Sequence, residues 1–414
     1  MSSNGWKEVK MGDVISFNPR ESIGKKQMAK KIAMENLKPF TKFIDQYELA
    51  PFNGGAKFRN GDTLLARITP CLENGKTSQV TILDNDEIGF GSTEFIVFRA
   101  EAGITDKDYI YYLSISPSLR EIAIKSMIGS SGRQRVQQRV LKDINLSLPP
   151  LSEQKAIAAT LSCLDDMIEL NNRTNQVLEE MAQAIFKRWF VDFEFPNEDG
   201  EPYKSSGGEM VDSELGEIPK GWDIGNLLDI ADYLNGLAMQ NFRPKENDKT
   251  YPVLKIKELR QGTTDSNSEL CSVNINQNYI VDDGDLIFSW SGSLIVDFWC
   301  GGRCGLNQHL FKVTSNKFDK WYYYYWTNFH LQKFIGIAKD KATTMGHIKR
   351  EDLKNSKVLI MDNITYQRLN SISNPIFETI IANRIENRKL ATIRDTLLPK
   401  LMSGEIRVPI EEVV

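Results

Sequence analysis

The sequence predicts an α+β protein in which two globular α/β domains, arranged as a tandem repeat, are separated by two long helices. The helices are expected to pair as a coiled coil, and an antiparallel coiled coil would give the protein an approximate two-fold axis. Three observations predict this fold. The 414-residue chain is too long for one ordinary hydrophobic core. Two stretches, one near the middle and one near the end, carry a heptad pattern of apolar residues. The segments before these stretches repeat each other in order.

Residues 1–150 are predicted to form the first domain. Short runs rich in β-branched and aromatic residues at 63–66, 79–83 and 95–98 predict strands, because such residues pack well on a pleated surface. Turns that contain glycine bound these runs. Residues 106–125 carry tyrosine and leucine on one side and predict a helix. The mixture predicts an α+β domain.

Residues 151–194 are predicted to form a long helix. The segment 151–190 contains neither glycine nor proline, and Ser152 follows two prolines as the predicted N-cap. About 40 helical residues at 1.5 Å each would span roughly 60 Å. Apolar residues recur at spacings of three and four, with two asparagines in the same row, which predicts a coiled-coil seam. The predicted seam residues are Leu161, Leu164, Ile168, Asn171, Asn175, Leu178 and Ile185.

Residues 195–218 are rich in proline, glycine and acidic side chains and show no periodicity, so we predict an exposed linker. Residues 219–362 then repeat the first domain. The matching motifs keep their order, and only the loop lengths between them differ. The motifs at 61–65, 95–98 and 109–113 match those at 284–288, 310–313 and 322–326.

Residues 363–414 are predicted to contain the second long helix and a C-terminal tail. A buried asparagine weakens a coiled coil but fixes its register, and two asparagines recur in matching positions of both helices. The two helices are therefore predicted to pair within one chain; the alternative is that each packs on its own domain. Pro375 and Pro399 are expected to kink or bound the second helix. The matching seam residues are Ile380, Asn383, Asn387, Leu390 and Leu397.

The net charge of −4 argues mildly against nucleic-acid binding. Charge is segregated, however, since residues 119–142 are mostly basic and residues 194–217 mostly acidic, so the total is a poor guide to partners. No run of 18 apolar residues occurs, and the first residues lack an apolar core like that of a signal peptide. We therefore predict a cytoplasmic protein without a membrane segment.

Motifs for chemistry are absent from the sequence. The tetrapeptide with two prolines by which adenine methyltransferases grip a flipped base does not occur, and Gly-Lys-Thr at 75–77 lacks the glycine that a phosphate-binding loop needs, since Pro70 occupies that position. Cys300 and Cys304 could approach each other, but no second pair completes a zinc site. We predict reduced structural cysteines, no metal site and no catalytic residues.

Two separated domains on a rod are suited to read two half-sites at a fixed distance on double-stranded DNA. Polar loops at equivalent places in the repeats are the best candidates for contact, because the same polar side chains read bases and hold phosphates. A solvated loop at 129–135 and 342–349 and a structural strand at 67–69 and 289–291 are the alternatives. The aromatic run 322–326 is predicted to pack in the core rather than stack on bases. The candidate DNA-binding residues are Arg67, Thr69, Ser130, Ser131, Arg133, Gln134, Arg135, Ser289, Ser291, Arg303, Asn307, Gln308, Thr343, Thr344, His347 and Lys349.

Four motifs give the sequence a resemblance to a known family. LPPLSEQ at 148–154 leads into the first long helix, and FVDF at 190–193 ends it. ELGEIPKGW at 214–222 opens the second repeat, and LLPKLMSGEI at 397–406 ends the second helix. The chain resembles the specificity (S) subunits of type I restriction-modification systems over essentially its whole length.

The resemblance implies that each globular repeat is a target recognition domain that reads one half of a bipartite DNA sequence. It also implies that the two helices form an antiparallel coiled coil, which acts as a ruler, and that two methyltransferase (M) subunits dock on this subunit, to which restriction (R) subunits are added. S-adenosylmethionine, ATP and Mg²⁺ would belong to those partners, and this chain would bind no cofactor. Two other functions stay open on the residues alone: a coiled-coil structural adaptor, and a methyltransferase with unrecognised catalytic motifs.

Overall fold

The computed structural model describes residues 5–130, 132–340 and 346–409. The chain divides into two compact units with separate cores. The first comprises Met1–Glu169 and Lys389–Val414, and the second comprises Leu170–Arg388. Within the described residues, no helix is both long and apolar enough to cross a membrane.

The first unit begins with short strands and short helices. Its strands are β1 (Lys7–Lys10), β2 (Ile15–Phe17), β3 (Met28–Ile32), β4 (Glu48–Pro51), β5 (Ala56–Phe58), β6 (Thr63–Ala66), β7 (Thr77–Gln79), β8 (Gly89–Gly91), β9 (Phe95–Ala100) and β10 (Asn145–Leu148). Its short helices are α1 (Met11–Val14), α2 (Lys107–Ile115), α3 (Pro117–Lys125) and α4 (Gln138–Lys142). The predicted helix at 106–125 is therefore two helices, because Ser116 ends α2 and caps α3 with Pro117 at its first position.

Two four-stranded sheets and a strand pair build the first unit. One sheet has the antiparallel order β2-β9-β6-β7, and the other has the order β4-β3-β8-β5, in which β3 and β8 are parallel. Both faces of β6 are buried: Leu65 joins one core cluster and Leu64 another. A strand with two buried faces reads as a continuous apolar run, which explains the sequence TLLA. The pair β1–β10 joins the two ends of the domain.

The first long helix, α5 (Leu151–Phe186), contributes to both units, and one wide π-turn follows it at Lys187–Val191. The second unit continues with strands β11 (Met210–Ser213), β12 (Gly216–Pro219), β13 (Asp223–Asn226), β14 (Asp232–Asn235), β15 (Thr250–Leu254), β16 (Leu270–Ser272), β17 (Ile280–Val281), β18 (Asp285–Ser289), β19 (Val296–Trp299), β20 (Cys304–Leu306), β21 (Leu310–Thr314) and β22 (Lys357–Ile360). Its helices are α6 (Leu227–Ile230), α7 (Ile256–Gln261), α8 (Lys320–Phe329), α9 (Leu331–Asp340), α10 (Arg350–Lys354) and the long α11 (Asn363–Ser403), which also contributes to both units.

The internal repeat predicted from the sequence is confirmed strand by strand. The second unit has sheets of order β14-β21-β18-β19 and β16-β15-β20-β17 and the pair β13–β22, which match the sheets and strand pair of the first unit. β15 and β20 are parallel, as β3 and β8 are. The aromatic run 322–326 lies in α8 and its residues Tyr322, Tyr323, Tyr325 and Trp326 are buried, so the prediction of core packing is also confirmed.

The long helices pair antiparallel within each unit. In the first unit Asp165 of α5 contacts Arg394 of α11, and Leu161 shares a core cluster with Leu398. In the second unit Asn171 donates a hydrogen bond of 2.9 Å to Asn387, and Asn383 donates one of 2.9 Å to Asn175. Residue numbers rise along one helix as they fall along the other, and the asparagines pair as predicted.

Each paired segment also packs on its own globular core. Ile157, Ala158 and Leu161 of α5 join the cluster of the first unit, and Phe377 and Ile381 of α11 join that of the second. The two arrangements that the sequence left as alternatives, pairing and packing on a domain, therefore coexist. The seven-residue motif LPPLSEQ serves this packing, since the Gln154 amide donates hydrogen bonds to the carbonyl groups of Ile104 and Pro149.

Two expectations are revised. Helix α11 runs without interruption through Pro375 and Pro399, so neither proline bounds it; burial of Phe377 and Leu398 beside them offsets the lost backbone hydrogen bonds. The segment 195–218 is mostly exposed but contains the hairpin β11–β12, and the ring of Phe195 is buried against Trp222 with centroids 4.8 Å apart.

Candidate nucleic-acid interface

Two of the predicted contact segments in the first unit lie side by side. We call residues 67–69 and 134–136 the first loop pair. Arg67 follows the last residue of β6, and its N–H donates a hydrogen bond of 2.9 Å to the carbonyl of Glu94, just before β9. Two backbone hydrogen bonds join the segments: Thr69 N–H to the Gln134 carbonyl, 3.0 Å, and Val136 N–H to the Arg67 carbonyl, 2.8 Å.

A charged cluster occupies the first loop pair. Arg135 donates hydrogen bonds to both oxygens of the Glu94 carboxylate, with Nη2 2.6 Å from Oε1 and Nε 3.0 Å from Oε2. Arg67 Nε lies 3.7 Å from Glu94 Oε2. The hydrogen bond from Arg135 lowers the pKa of Glu94 below its usual value, so the carboxylate is charged at neutral pH and holds the guanidinium in place. All three side chains remain partly exposed.

The second unit contains the same arrangement. We call residues 290–292 and 346–348 the second loop pair. Trp290 follows the last residue of β18, and its N–H donates to the carbonyl of His309, just before β21, over 3.4 Å. Two backbone hydrogen bonds join the segments: Gly292 N–H to the Gly346 carbonyl, 3.2 Å, and Ile348 N–H to the Trp290 carbonyl, 3.1 Å.

Aromatic and imidazole rings occupy the second loop pair. The Trp290 ring centroid lies 6.0 Å from that of His309 and 6.2 Å from that of His347. The indole N–H of Trp290 donates a 2.9 Å hydrogen bond to Asn235 Oδ1, and Ser291 Oγ lies 3.0 Å from His309 Nδ1. These bonds fix the orientation of the rings, while His347 is exposed.

The two loop pairs share one backbone frame but differ in chemistry. Equivalent backbone contacts occur at three places in each unit. They involve the residue after β6 or β18, the residue before β9 or β21, and the facing residue in segment 134–136 or 346–348. These equivalent positions hold Arg67 and Trp290, Glu94 and His309, and Arg135 and His347. A charged site with guanidinium donors in one unit thus corresponds to an aromatic site with imidazole nitrogens in the other.

A groove of about 560 Å³ extends from Arg67 in the first unit. Arg20 and Lys57 also line it, together with the carboxylate-bearing Glu21 and the amide of Asn18. Lys57 Nζ donates to the Glu21 carbonyl over 2.6 Å, whereas Arg20 is exposed. The groove therefore adds cationic groups next to the charged cluster, as a binding site for phosphates requires.

Some predicted site residues lie at the margins of the loop pairs. Ser130 and Arg133 are exposed at the tip of the loop that contains Gln134, and the N–H of Arg133 donates to the Ser130 carbonyl over 3.0 Å. Lys349 is exposed at the start of α10, where its N–H donates to Asp352. Ser131, Thr343 and Thr344 lie outside the described residues.

The structure corrects the position of other candidates. Ser289 is fully buried and its hydroxyl donates to the carbonyls of Ser291 and Ser293, so it supports the loop and reaches no surface. Asn307 is buried and accepts the N–H of His309 through its side chain. Gln308 is half-buried beside the His309 ring.

Arg303 is exposed, but its guanidinium donates to Asp282 over 2.6 Å. No contact between Arg303 and the second loop pair occurs among the described residues, so the structure does not bring this candidate to the site.

Sequence reasoning missed several members of the site. Glu94 and Asn235 belong to no motif, and Arg20 and Lys57 lie on other segments of the chain than Arg67. His309 ends the polar run 303–309, which was an ambiguous candidate for contact, but it was not selected as a site residue. The repeat itself carries a signal, since aligning β9 with β21 places Glu94 against His309 immediately before each strand. That alignment would have identified the position, although not its contact with Arg135.

No group of three or more His, Cys, Asp or Glu side chains suited to a metal ion occurs within the described residues. The five cysteines are free thiols, and Cys271, Cys300 and Cys304 are buried. Burial raises the pKa of the Cys300 thiol to about 11 and that of the Cys304 thiol to about 12, which makes both poor nucleophiles at neutral pH.

Comparison with known proteins gives consistent results. The family model described as "Type I restriction modification DNA specificity domain" matches residues 3–180 and 219–370, which is one match for each repeat. The chain is 32% identical to the type I restriction enzyme MjaIX specificity subunit of Methanocaldococcus jannaschii, over 73% of this chain and 69% of that protein. It is 24% identical to the type I restriction enzyme HindI specificity subunit of Haemophilus influenzae, over 84% of this chain and 87% of that protein.

A solved structure extends the comparison to the fold. The crystal structure of a type I restriction-modification system S subunit from M. genitalium matches 97% of this chain and 97% of its own, with 12% sequence identity and a TM-score of 0.56. At that identity the likeness concerns the fold alone.

Proposed function

This chain belongs to the type I restriction modification DNA specificity family, and we propose that it reads a bipartite DNA target for a type I restriction-modification enzyme, one half with each unit. The chain itself would be a non-catalytic subunit in the cytoplasm. Methylation and cleavage would be carried out by methyltransferase and restriction subunits, which would bind S-adenosylmethionine, ATP and Mg²⁺.

The observation that carries this proposal is the shared backbone frame of the two loop pairs. Stable folding requires the frame, whereas the side chains on it differ in charge, size and hydrogen-bonding capacity between Arg67, Glu94 and Arg135 and their counterparts. A protein that reads two different half-sites needs one scaffold with two sets of reading side chains. A purely structural adaptor has no such need.

The charged cluster of the first unit suits a half-site with a G·C pair. An arginine side chain can donate two hydrogen bonds to the O6 and N7 acceptors of guanine, and a glutamate can accept from the amino group of cytosine. Glu94 fixes the guanidinium of Arg135, so little side-chain entropy is lost on binding. Arg20 and Lys57 in the adjoining groove would hold phosphates and set the orientation of the duplex.

The ring cluster of the second unit would read its half-site differently. The Trp290 ring offers apolar contact to a thymine methyl group, and imidazole nitrogens of His347 can donate to or accept from base edges. Because the two clusters differ at every equivalent position, we propose that the two half-sites have different sequences.

The paired helices would set the distance between the half-sites and dock the two methyltransferase subunits. An exposed apolar row on α5 supports the docking role: Leu170, Val177 and Met181 are 57%, 54% and 47% exposed, and they recur at the heptad spacing of a coiled-coil seam. Val177→Glu is expected to abolish copurification of the methyltransferase subunit. The exposed neighbour Gln176 provides the control, since Gln176→Glu should leave copurification unchanged.

Single-molecule methylation sequencing tests the proposed function. Cells that express the chain with its methyltransferase subunit should show one modified bipartite motif, with adenines methylated in both halves. A continuous motif, or no motif with a functional partner present, would contradict the proposal. Binding of S-adenosylmethionine to the purified chain would instead favour an unrecognised methyltransferase. Unchanged DNA affinity after charge reversal of Arg133, Arg135 and Lys349 would favour a structural adaptor.

A further inference from the structure

Two ion pairs in the first unit join α5 to α11 and to the segment that follows α11, and each contains a buried carboxylate. Arg394 Nη1 of α11 lies 2.6 Å from Asp165 Oδ1 of α5, and their side chains are only 5% and 4% exposed. The hydroxyl of Tyr112 donates a 2.7 Å hydrogen bond to the other oxygen of Asp165. Both charges are removed from water, so they stabilise each other. Arg394 also lies 2.9 Å from Asp395 of its own helix, whose side chain is 61% exposed.

The second ion pair lies where the C-terminal segment beyond α11 meets the start of α5. Arg407 Nη2 lies 2.7 Å from Glu153 Oε2, and the indole N–H of Trp6 donates to the same oxygen over 2.9 Å. Glu153 is buried, and the Arg407 guanidinium lies over the Trp6 ring at 5.7 Å. In both pairs the acid lies on α5 and the base lies on the chain segment that includes α11.

The equivalent places in the second unit are uncharged. Aligning the helices by their seam asparagines sets Phe377 against Asp165, Ala182 against Arg394, Thr365 against Glu153 and Phe195 against Arg407. Tyr325, the counterpart of Tyr112, donates to the Ala182 carbonyl over 2.6 Å, and its ring lies 5.1 Å from that of Phe377. Phe195 stacks on Trp222 where Arg407 covers Trp6.

The seam asparagines, by contrast, do not distinguish the helices. Asn171 binds Asn387 and Asn175 binds Asn383. By the same alignment Asn171 corresponds to Asn383, and Asn175 to Asn387. If α5 paired with α5 of a second chain, Asn171 would meet Asn175, and the amide hydrogen bonds would be kept. The asparagines therefore set the register equally well in a like-with-like pair.

Like-with-like pairs lose both ion pairs. Two α5 helices would bury Asp165 against Ala182 of the other copy and Glu153 against Phe195. Two α11 helices would bury Arg394 against Phe377 and leave Arg407 against Thr365. An unpaired buried charge is strongly unfavourable, and two α5 helices would contain four buried carboxylates without their basic partners. Two α11 helices would leave both copies of the buried Arg394 with the exposed Asp395 of their own helix in place of Asp165, and both copies of the partly exposed Arg407 without Glu153. The alternative pairing is thus disfavoured by repulsive or unsatisfied contacts rather than by shape.

We infer that the Asp165–Arg394 and Glu153–Arg407 ion pairs select the partner of each long helix, so that α5 pairs with α11 of its own chain and not with the same helix of a second copy. This partner choice is a property of the helices and is independent of whether the units read DNA. The asparagines fix the register between two paired helices, and the two ion pairs determine which two helices pair.

Co-refolding of two tagged preparations of the full chain tests the inference. The preparations are mixed in denaturant, refolded together and captured through one tag, and the second tag is then measured. A variant with Asp165→Phe, Arg394→Ala, Glu153→Thr and Arg407→Phe gives the first unit the residues of the second. It should show at least a ten-fold increase in co-capture over the native chain. Asn175→Ala weakens the pairing without removing an ion pair and should stay at the native level.

Two outcomes would overturn the inference: co-capture of the four-fold variant at the native level, or an equal rise for Asn175→Ala, which would indicate weakened pairing rather than partner choice. A second measurement tests the inference even if the variant with four substitutions does not fold. Asp165→Arg and Arg394→Asp each place like charges within one chain, but α5 of one variant matches α11 of the other. The mixture should give at least ten-fold more co-captured folded protein than either variant alone, and equal recovery in all three samples would also overturn the inference.

Discussion

Arg135 and Glu94 form a two-point ion pair across 41 residues of sequence, with Arg135 Nη2 2.6 Å from Glu94 Oε1. The pair joins the loop after α3 to the start of β9 and holds a guanidinium at the surface of the first loop pair. In the second unit His347 and His309 occupy the same positions. The predictions on DNA reading follow from this difference.

Arg135→Lys should relax reading of one half-site only. Lysine keeps the charge but lacks the planar fork that Glu94 orients, and loss of a two-point base contact weakens discrimination by about 1–3 kcal/mol per base pair. Methylation sequencing should show one degenerate position in one half of the motif and an unchanged other half. Arg139→Lys, whose side chain is 95% exposed, is the matched control and should leave both halves intact. Degeneracy in both halves would contradict the assignment of one half to each unit.

His347→Ala should have the complementary effect. The exposed ring lies against Trp290 at the surface of the second loop pair, so its removal should relax the half-site that Arg135→Lys leaves intact. We expect a five- to hundred-fold loss of preference at one position, the range that about 1–3 kcal/mol represents. His330→Gln, at a buried site whose ring binds the Lys357 carbonyl, should not change the motif. If both variants altered the same half, the equivalence of the loop pairs would have no functional meaning.

Lengthening both helices should lengthen the spacer between the half-sites. Seven residues inserted after Arg173 of α5 and seven after Ile385 of α11 fall between the two asparagine contacts and preserve the heptad register. The added length is about 10 Å, or roughly three base pairs at 3.4 Å each. Methylation sequencing reads the new spacer directly. The same insertion after the exposed Gly207 should leave the spacer unchanged, and an unchanged spacer in the helix variant would exclude a ruler.

The paired seam asparagines should make the helix pair less stable than an apolar pair would, while they fix the alignment of the helices. Asn175→Leu alone should lower the free energy of unfolding by about 1–3 kcal/mol, because Asn383 Nδ2 then loses its acceptor. Asn175→Leu together with Asn383→Leu should recover that loss, since an apolar pair replaces a buried polar one. Urea denaturation of the two variants measures both effects. Equal destabilisation by the single and double variants would indicate that the two residues do not interact.

Burial of His330 should make stability depend on pH. Burial lowers the pKa of this imidazole below 6.5, and its Nε2 lies 2.7 Å from the Lys357 carbonyl. The folded protein therefore favours the neutral ring, whereas the unfolded chain binds a proton at about pH 6.5. Stability from this site is complete above pH 6.5 and falls as the pH decreases through the lower folded pKa. His330→Gln keeps a donor without a titrating ring, and its unfolding free energy should vary less between pH 7 and pH 5.

The helices and the repeat could be predicted because they depend on patterns within short stretches. The heptad spacing placed two asparagines in the seam of each long helix, where the structure pairs them across the helices. The alternation of turns and apolar runs placed β6 and β18 correctly. The sequence did not decide whether the helices also pack on the globular cores, because a heptad pattern shows that a helix face is buried but not what buries it.

The site was predicted only as separate segments. Polar composition identified the residues around Arg67 and Arg135, but their contact depends on tertiary backbone hydrogen bonds with no local signal. The same limit explains Ser289 and Asn307, whose polar side chains bind neighbouring backbone groups in the interior. Glu94 was missed because a single residue before a strand carries no motif, and His309 was not selected from the polar run 303–309 because composition alone does not show which of its residues reaches the surface.

In the loop pairs the contacts that hold the segments together are made by the backbone, and the groups proposed to contact DNA belong to the side chains. The hydrogen bonds of this backbone frame come from peptide groups, so exchange of Arg67, Glu94 or Arg135 for the residue at the matching position removes none of them. On the proposed function, substitutions at these positions would change the target sequence while the architecture stays constant. Two copies within one chain would multiply the number of possible targets, since each repeat could change its own half of the target independently of the other.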